Sequence, residues 1–79
     1  MNGKCNLAEL QVGQKAKVTK LKISDRAIRR HLLDMGITRG TIVEIKKIAP
    51  MGDPIDIKLR DYELCLRKQD LKQIEAEYI

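Results

Sequence analysis

Apolar and polar residues alternate over short segments along most of this chain, and this pattern constrains the fold more than any other feature. The clearest segment is "PIDIKLR", in which Ile55, Ile57 and Leu59 share one face and charged residues occupy the other. A period of two predicts a β-strand with one buried face. Four further segments are typical of strands: "KAKVTKLKI", "IVEIKKI", "YELCLR" and "IEAEY". We therefore expect a mainly β fold of five short strands, curled into a small barrel because closure removes exposed strand edges.

One helix is predicted in the first connection of this sheet, over residues 26–35. Ser24 or Asp25 can cap its first turn by accepting hydrogen bonds from free backbone N–H groups. Gly36 occupies the position of a left-handed C-terminal cap. Gly40 precedes the next strand, where we expect positive φ or a close backbone approach.

Two local irregularities are also predicted. Apolar residues occupy even positions up to Val18 and odd positions from Leu21 onward, which indicates a β-bulge near Thr19 and Lys20. The segment "RDYE" forms a tight turn, in which Asp61 is the residue expected to tolerate positive φ.

The predicted helix is amphipathic when its residues are placed 100° apart. Three arginines, Arg26, Arg29 and Arg30, form the polar arc, with Leu33 projecting among them and Arg39 just past the turn. An apolar residue ringed by arginines is typical of a protein-binding surface, so these five residues are the candidate partner-binding site. The alternative is that the N-terminal segment covers Leu33. The apolar arc, expected to be buried on the barrel, contains Ala27, Ile28, His31, Leu32 and Met35.

The charge of the chain is concentrated near this helix. The full sequence has 16 Lys and Arg against 11 Asp and Glu, a net charge of +5. Residues 15–30 contain seven basic residues against Asp25 alone. A local positive field attracts nucleic acid, anionic lipid, nucleotide or an acidic protein surface, although a solvated basic surface without a partner is the simpler alternative.

A chain of 79 residues is expected to form a single domain over 1–79. The segment "MNGKCNLAEL" lacks the apolar core of a secretory signal, and the two cysteines do not have the spacing of a zinc site. No apolar run reaches the roughly 20 residues that span a bilayer. We expect a soluble, reduced, cytoplasmic protein that does not insert into the membrane.

Catalytic and metal-binding residues are not predicted. The sequence offers one histidine, His31, and two isolated cysteines, Cys5 and Cys65, whereas a transition-metal site needs a convergent set of ligands. A buried lone histidine is more often a packing residue than a ligand. No pair of nucleophile and base and no phosphate-binding glycine loop is present. We expect no enzyme activity and no bound cofactor.

Three blocks, "HLLDMGITRGTIVEI", "APMGDPIDIKL" and "YELCLRKQDL", occur in an order that resembles the FeoA family of small bacterial proteins associated with ferrous iron uptake. The resemblance extends from about Leu10 to Ile74, with Arg39 in place of a usual proline. The matching positions are Leu32, Leu33, Asp34, Met35, Gly36, Gly40, Ala49, Pro50, Gly52, Asp53, Pro54, Leu64, Leu66 and Arg67.

The resemblance implies an SH3-like β-barrel that acts as an accessory to a membrane GTPase permease of the FeoB type. It places the protein in the cytoplasm, at the inner face of the membrane through that partner. The loop residues Met51, Gly52 and Asp53 are a second candidate partner site, and the sequence is compatible with self-association. The alternative function is nucleic-acid binding by a basic barrel, which the absence of Phe and Trp disfavours because single-stranded recognition uses aromatic stacking.

Overall fold

The structure is a computed structural model that describes residues 3–79, so the first two residues of the predicted 1–79 domain lie outside it. Six strands form one antiparallel sheet in the order β1-β6-β2-β3-β4-β5. Two helices and one 3-10 turn interrupt them. The elements are β1 (Lys4–Asn6), a 3-10 turn (Leu7–Glu9), β2 (Lys15–Leu21), α1 (Arg26–Asp34), β3 (Ile42–Ile48), β4 (Ile55–Leu59), β5 (Tyr62–Leu66), α2 (Lys68–Leu71) and β6 (Ile74–Tyr78).

The mainly β class with one amphipathic helix is confirmed, but the predicted number of strands was one too low. The additional strand, β1, lies in the N-terminal segment, for which no strand was predicted. It pairs with β6, where Cys5 is opposite Ala76. Consequently α1 lies in the second connection of the sheet, between β2 and β3, rather than in the first.

The core lies inside the curled sheet and forms one cluster. Ile55, Ile57 and Leu59 of β4 are all at most 2% exposed, as their alternation predicts. Residues from every strand and from the 3-10 turn join the same cluster, including Leu7 and Leu10 of the N-terminal segment. The curled sheet therefore surrounds a single apolar interior, with β1 and β5 as its edge strands, and α1 contributes Leu32 to that interior.

The predicted bulge in β2 is confirmed. The register of β2 against β6 shifts between Val18 and Lys20, so Thr19 has no partner residue in β6. A bulge adds one residue to a strand and increases its local twist. Here it accounts for the change of buried face along β2, with Val18 buried before it and Leu21 half-buried after it.

The turn between β4 and β5 differs from the sequence prediction. Arg60, not Asp61, adopts positive φ, at +54°. The pairing of Leu59 with Tyr62 leaves two residues for the turn, and this register places the left-handed conformation on the first of them. The short polar side chain of Asp61 favoured it as the turn residue, but strand register decided the position.

Replacing Arg60 with glycine is expected to stabilise the protein. A left-handed residue with a side chain costs roughly 1–2 kcal/mol, and the extra freedom of glycine in the unfolded chain offsets about 0.5–1 kcal/mol of the gain. We expect Arg60→Gly to raise the free energy of unfolding by about 0.5–1 kcal/mol, measured by urea denaturation. Asp61→Gly is the matched control and should lower it, because Asp61 has no positive φ to relieve. The reverse order of the two variants would contradict this account of the turn.

Candidate functional site

The start of α1 is fixed by Asp25. Its Oδ1 accepts hydrogen bonds from the backbone N–H groups of Ala27 at 2.9 Å and Ile28 at 3.3 Å. These bonds satisfy two of the free donors of the first turn, so one of the two predicted caps is confirmed. The arginine of the first turn, Arg26, follows directly and is exposed.

The end of α1 is fixed by Gly36, which has φ of +95°. Its N–H donates to the carbonyl of Leu33 at 3.0 Å, and the N–H of Ile37 donates to the carbonyl of Leu32, also at 3.0 Å. This pair of bonds is a Schellman motif, in which the left-handed residue lets the chain reverse and close on the last turn. The hydroxyl of Thr41 donates to the Gly36 carbonyl at 3.1 Å and holds the reversed chain in place.

The buried face of α1 is narrower than the sequence predicts. Only Leu32 is fully buried, while Ile28 and Met35 are half-buried and Ala27 and His31 are exposed. The prediction that His31 is buried was therefore wrong. The helix contacts the barrel along a narrow stripe, so residues at the edge of the apolar arc remain in solvent.

The polar arc forms an open surface. Arg26, Arg29, Arg30 and Leu33 line one depression of about 470 Å³. Leu33 is 38% exposed. The suggested cover is not found within residues 3–79, because Leu7 and Leu10 are buried in the core and neither lines the depressions beside Leu33.

A second depression adjoins the first and contains Arg39. It has a volume of about 490 Å³ and shares Arg29 and Leu33 with the first depression. The structure thus brings all five candidate partner-binding residues onto one continuous surface, which we call the cationic face. Three further residues of this depression, Thr19, Lys20 and Leu21 from β2, were not predicted as site residues.

The cationic face is not neutralised by neighbouring carboxylates. The ion pairs in the part of the chain that the structure describes join Lys22 to Glu75 and Lys46 to Glu44, and neither pair involves this face. The Lys22 ammonium lowers the pKa of the Glu75 carboxyl by hydrogen bonding to it. Within residues 3–79, no carboxylate therefore lies within ion-pair distance of the arginines of α1.

The second candidate site, the loop between β3 and β4, lies apart from the cationic face. Met51 is 91% exposed at its tip. Asp53 is engaged, because its Oδ1 accepts a hydrogen bond from the backbone N–H of Lys68 at 2.8 Å at the start of α2. Gly52 has φ of +85°. None of these three residues lines either depression of the cationic face.

Groups that could hold a metal ion are also separated. Within residues 3–79, no group of three or more His, Cys, Asp or Glu side chains converges. Cys5 is buried and Cys65 is exposed, and both are free thiols. Burial raises the pKa of the Cys5 thiol. Hydrogen bonding to Asp56 raises the pKa of Cys65, which makes its reactive thiolate form scarcer.

Titration with Fe²⁺ or Zn²⁺ is expected to give only weak binding, because tight sites for these ions use a convergent set of ligands. Anaerobic calorimetry on the isolated protein should show no stoichiometric binding at micromolar concentrations. Tight binding that His31→Ala or Cys65→Ser abolishes would contradict this prediction.

The helices in the described range, α1 and α2, have nine and four residues. From Gly3 onward, none combines the length and the apolar character that a membrane-spanning helix requires.

Comparison with known proteins identifies relatives of this chain. Residues 5–78 match the model of the FeoA domain. The chain is 32% identical over 74 residues to a protein of Porphyromonas gingivalis named Fe(2+) transport protein A/Fe(2+) transporter FeoB fusion protein. The match covers 92% of this chain but only 8% of that relative's length.

Solved structures agree with the fold. The NMR structure of an FeoA-like protein from Clostridium acetobutylicum is 42% identical, with a TM-score of 0.87, over all of this chain and 91% of that one. The crystal structure of Stenotrophomonas maltophilia FeoA with zinc, a prokaryotic SH3 domain protein, is 24% identical with a TM-score of 0.79, over 90% of this chain and 87% of that one. The latter likeness concerns the fold alone, and it confirms the predicted SH3-like architecture.

Proposed function

This chain belongs to the FeoA family, and on that premise we propose that it is a non-catalytic accessory protein of bacterial ferrous iron uptake. It acts by binding a membrane GTPase permease of the FeoB type. The observation that carries this proposal is the Porphyromonas gingivalis relative, whose name joins an Fe(2+) transport protein A to the transporter FeoB in one chain. Fusion keeps two modules at a high effective concentration, which favours modules that work in contact.

We place the docking site on the cationic face. Arg26, Arg29 and Arg30 have no ion-pair partners in the described chain, and Leu33 is partly exposed between them. Guanidinium groups bind carboxylates through two parallel hydrogen bonds and so define orientation. A central apolar residue with a polar rim is the usual anatomy of an interface. The matching surface on the permease is therefore acidic, with an apolar centre.

The proposed location follows from the partner. The protein works in the cytoplasm, at the inner face of the membrane, and reaches the membrane through the permease. It needs no cofactor in this role, because its contribution is contact with another protein. Met51 at the tip of the loop between β3 and β4 is the second candidate contact, since it is the most exposed large apolar residue described.

Nucleic-acid binding is the less favoured function. Recognition of single strands relies on exposed aromatic rings on which bases stack. The chain has two tyrosines and no other aromatic residue of this kind. Tyr62 is 39% exposed, with its hydroxyl close to Gly36, and Tyr78 is half-buried, so the described chain offers a single exposed ring and no series of stacking platforms.

The proposed function is tested by capture of the permease. The tagged full chain is incubated with detergent-solubilised membranes that contain a FeoB-type permease, with and without guanine nucleotide, and the retained permease is quantified by blotting. We expect retention that weakens as salt concentration rises, because the proposed contact is electrostatic. No retention in either nucleotide condition, together with salt-sensitive RNA binding at micromolar concentrations, would favour the nucleic-acid function instead.

A further inference from the structure

We propose that the depression between the β2 bulge and α1 is a receptor for one carboxylate side chain of the protein partner, flanked by an aliphatic side chain. We call this depression the bulge pocket; it is lined by Thr19, Lys20, Leu21, Arg29, Leu33 and Arg39. This inference rests on the proposed function, because it assigns the chemistry of the segment that the permease would supply.

The first support is the charge of the bulge pocket. Three of its lining residues, Lys20, Arg29 and Arg39, are cationic, and no lining residue is acidic. None of the three takes part in the ion pairs found between Gly3 and Ile79. Lys20 lies opposite Glu75 in the register of β2 and β6, so Arg29 and Arg39 are the cations of the pocket that no such carboxylate faces. An anionic group in this space of about 490 Å³ would relieve the repulsion between them.

The second support is the way in which the backbone assembles these cations from separate elements. The N–H of Gly40 donates to the carbonyl of Val18 at 2.7 Å, and the N–H of Val18 donates to the carbonyl of Thr41 at 2.8 Å. These bonds fix the turn that carries Arg39 beside the bulge at Thr19. The fold therefore fixes the backbone positions from which Lys20 and Arg39 project into the pocket.

The third support is the Thr19 side chain. Its hydroxyl is buried and has no hydrogen-bond partner in the described chain, although the residue as a whole is half-buried and lines the pocket. A buried hydroxyl without a partner is unfavourable. Because Thr19 lines the pocket, a carboxylate oxygen bound there is a potential acceptor for this hydroxyl.

The apolar wall decides what kind of anion fits. Two leucines form this wall. Leu21 of β2 is half-buried, and Leu33, on the side of the pocket that α1 forms, is 38% exposed. A free phosphate has no apolar part to place against these leucines, and a nucleotide base would find no aromatic ring among the lining residues. An acidic side chain next to an aliphatic one satisfies both the cations and the leucines.

The probe for this inference is the dipeptide N-acetyl-Leu-Glu-amide, with N-acetyl-Leu-Gln-amide as its neutral, isosteric control. The ¹⁵N-labelled full chain is titrated with each, and backbone chemical shifts are followed by NMR. We expect saturable shifts with the glutamate peptide in the millimolar range, concentrated at Thr19, Lys20 and Arg39. Equal shifts with the glutamine peptide, or stronger binding of inorganic phosphate at matched ionic strength at the same residues, would overturn the proposal.

Matched variants locate the interaction. Arg29→Gln and Arg39→Gln should each weaken binding of the glutamate peptide by about fivefold or more, because each substitution removes a charge-assisted hydrogen bond. Lys58→Gln removes the same charge from an exposed position on β4 and should change the affinity by less than about twofold, since exposed charges interact weakly. Equal effects of the three variants would mean that net charge alone governs peptide binding, and this result would overturn the proposal of a carboxylate-binding pocket.

Thr19→Val tests the hydroxyl separately. Removal of a buried hydroxyl without a partner should leave the melting temperature equal or higher, while the peptide binds more weakly by about twofold to fivefold. Unchanged affinity in this variant would contradict the role of Thr19.

Capture of the permease then distinguishes the two proposals. If the permease binds the wild-type protein and the Arg39→Gln variant equally, the pocket proposal fails and the proposed function stands. If the permease binds neither while the glutamate peptide binds as described, the proposed function fails and the pocket remains a carboxylate site.

Discussion

Gly36→Ala is expected to lower the free energy of unfolding by about 2–3 kcal/mol. Gly36 has φ of +95°, where a side chain is strained. A Cβ atom built there would lie 2.7 Å from the hydroxyl oxygen of Tyr62, so the tyrosine ring must also move. A domain of this size has only about 3–5 kcal/mol of net stability from its core. The variant should therefore be close to unfolding at ambient temperature, which thermal melting followed by circular dichroism will show.

Two comparisons separate the strain from the steric contact. Gly40 has φ of +91°, and an added Cβ would have no atom within 4 Å, so Gly40→Ala should show the cost of the backbone alone. Combining Gly36→Ala with Tyr62→Phe removes the hydroxyl that the new Cβ would meet, and the cost of the alanine should then approach that of Gly40→Ala. A cost at Gly36 equal to that at Gly40 in the original protein would show that Tyr62 imposes no constraint.

The features that were predicted correctly depend on local chemistry. The left-handed turn at Gly36, the cap at Asp25 and the bulge at Thr19 each have a signal within a few residues of sequence. A glycine after an amphipathic segment, a short acidic side chain before it, and a change of parity along a strand are such signals. The structure has all three at the expected positions.

The features that were missed depend on contacts between distant segments. β1 has three residues, too few for alternation to be visible, and it exists because Cys5 pairs with Ala76 at the other end of the chain. His31 was assigned to the apolar arc because a helical wheel gives the direction of a side chain but not the width of the surface beneath it. In the fold, the barrel covers Leu32 and leaves His31 in solvent.

The candidate site contains residues of both kinds: some have a local signal in the sequence, and others are brought together only by contacts between distant segments. The arginines of α1 were found because they recur on one face of a single helix. Lys20 and Leu21 were missed as site residues because they join the arginines only when the turn at Gly40 hydrogen-bonds to β2. The bulge at Thr19 was predicted, and an irregularity in a strand near a charged helix is a signal that could have pointed to the pocket.

Reversing Arg29 and Arg30 to glutamate is expected to weaken binding to the permease by at least about tenfold, because close charge pairs at interfaces contribute several kcal/mol. Both residues are exposed on α1, so the fold should be retained. The residual binding should be less sensitive to salt, since fewer charge interactions remain to be screened. Retention of the permease across a salt series measures this. Arg67→Glu with Lys68→Glu is the control, because it makes the same change of charge at two adjacent exposed positions that belong to neither ion pair of the described chain. Equal loss in both double variants would mean that net charge, not the cationic face, governs binding.

Leu33→Ala separates an interface residue from a core residue. Leu33 is 38% exposed, so its truncation should lower the free energy of unfolding by only about 1 kcal/mol, whereas a fully buried leucine costs about 2–5 kcal/mol. Binding to the permease should nevertheless weaken strongly, because the centre of an interface carries most of its energy. Leu32→Ala is the matched control on the adjacent, buried position and should destabilise the free protein severely.

If Leu33→Ala destabilises the free protein by 2 kcal/mol or more, Leu33 acts as a core residue. The docking site would then have to lie elsewhere, and the exposed Met51 at the tip of the loop between β3 and β4 would be the first position to test.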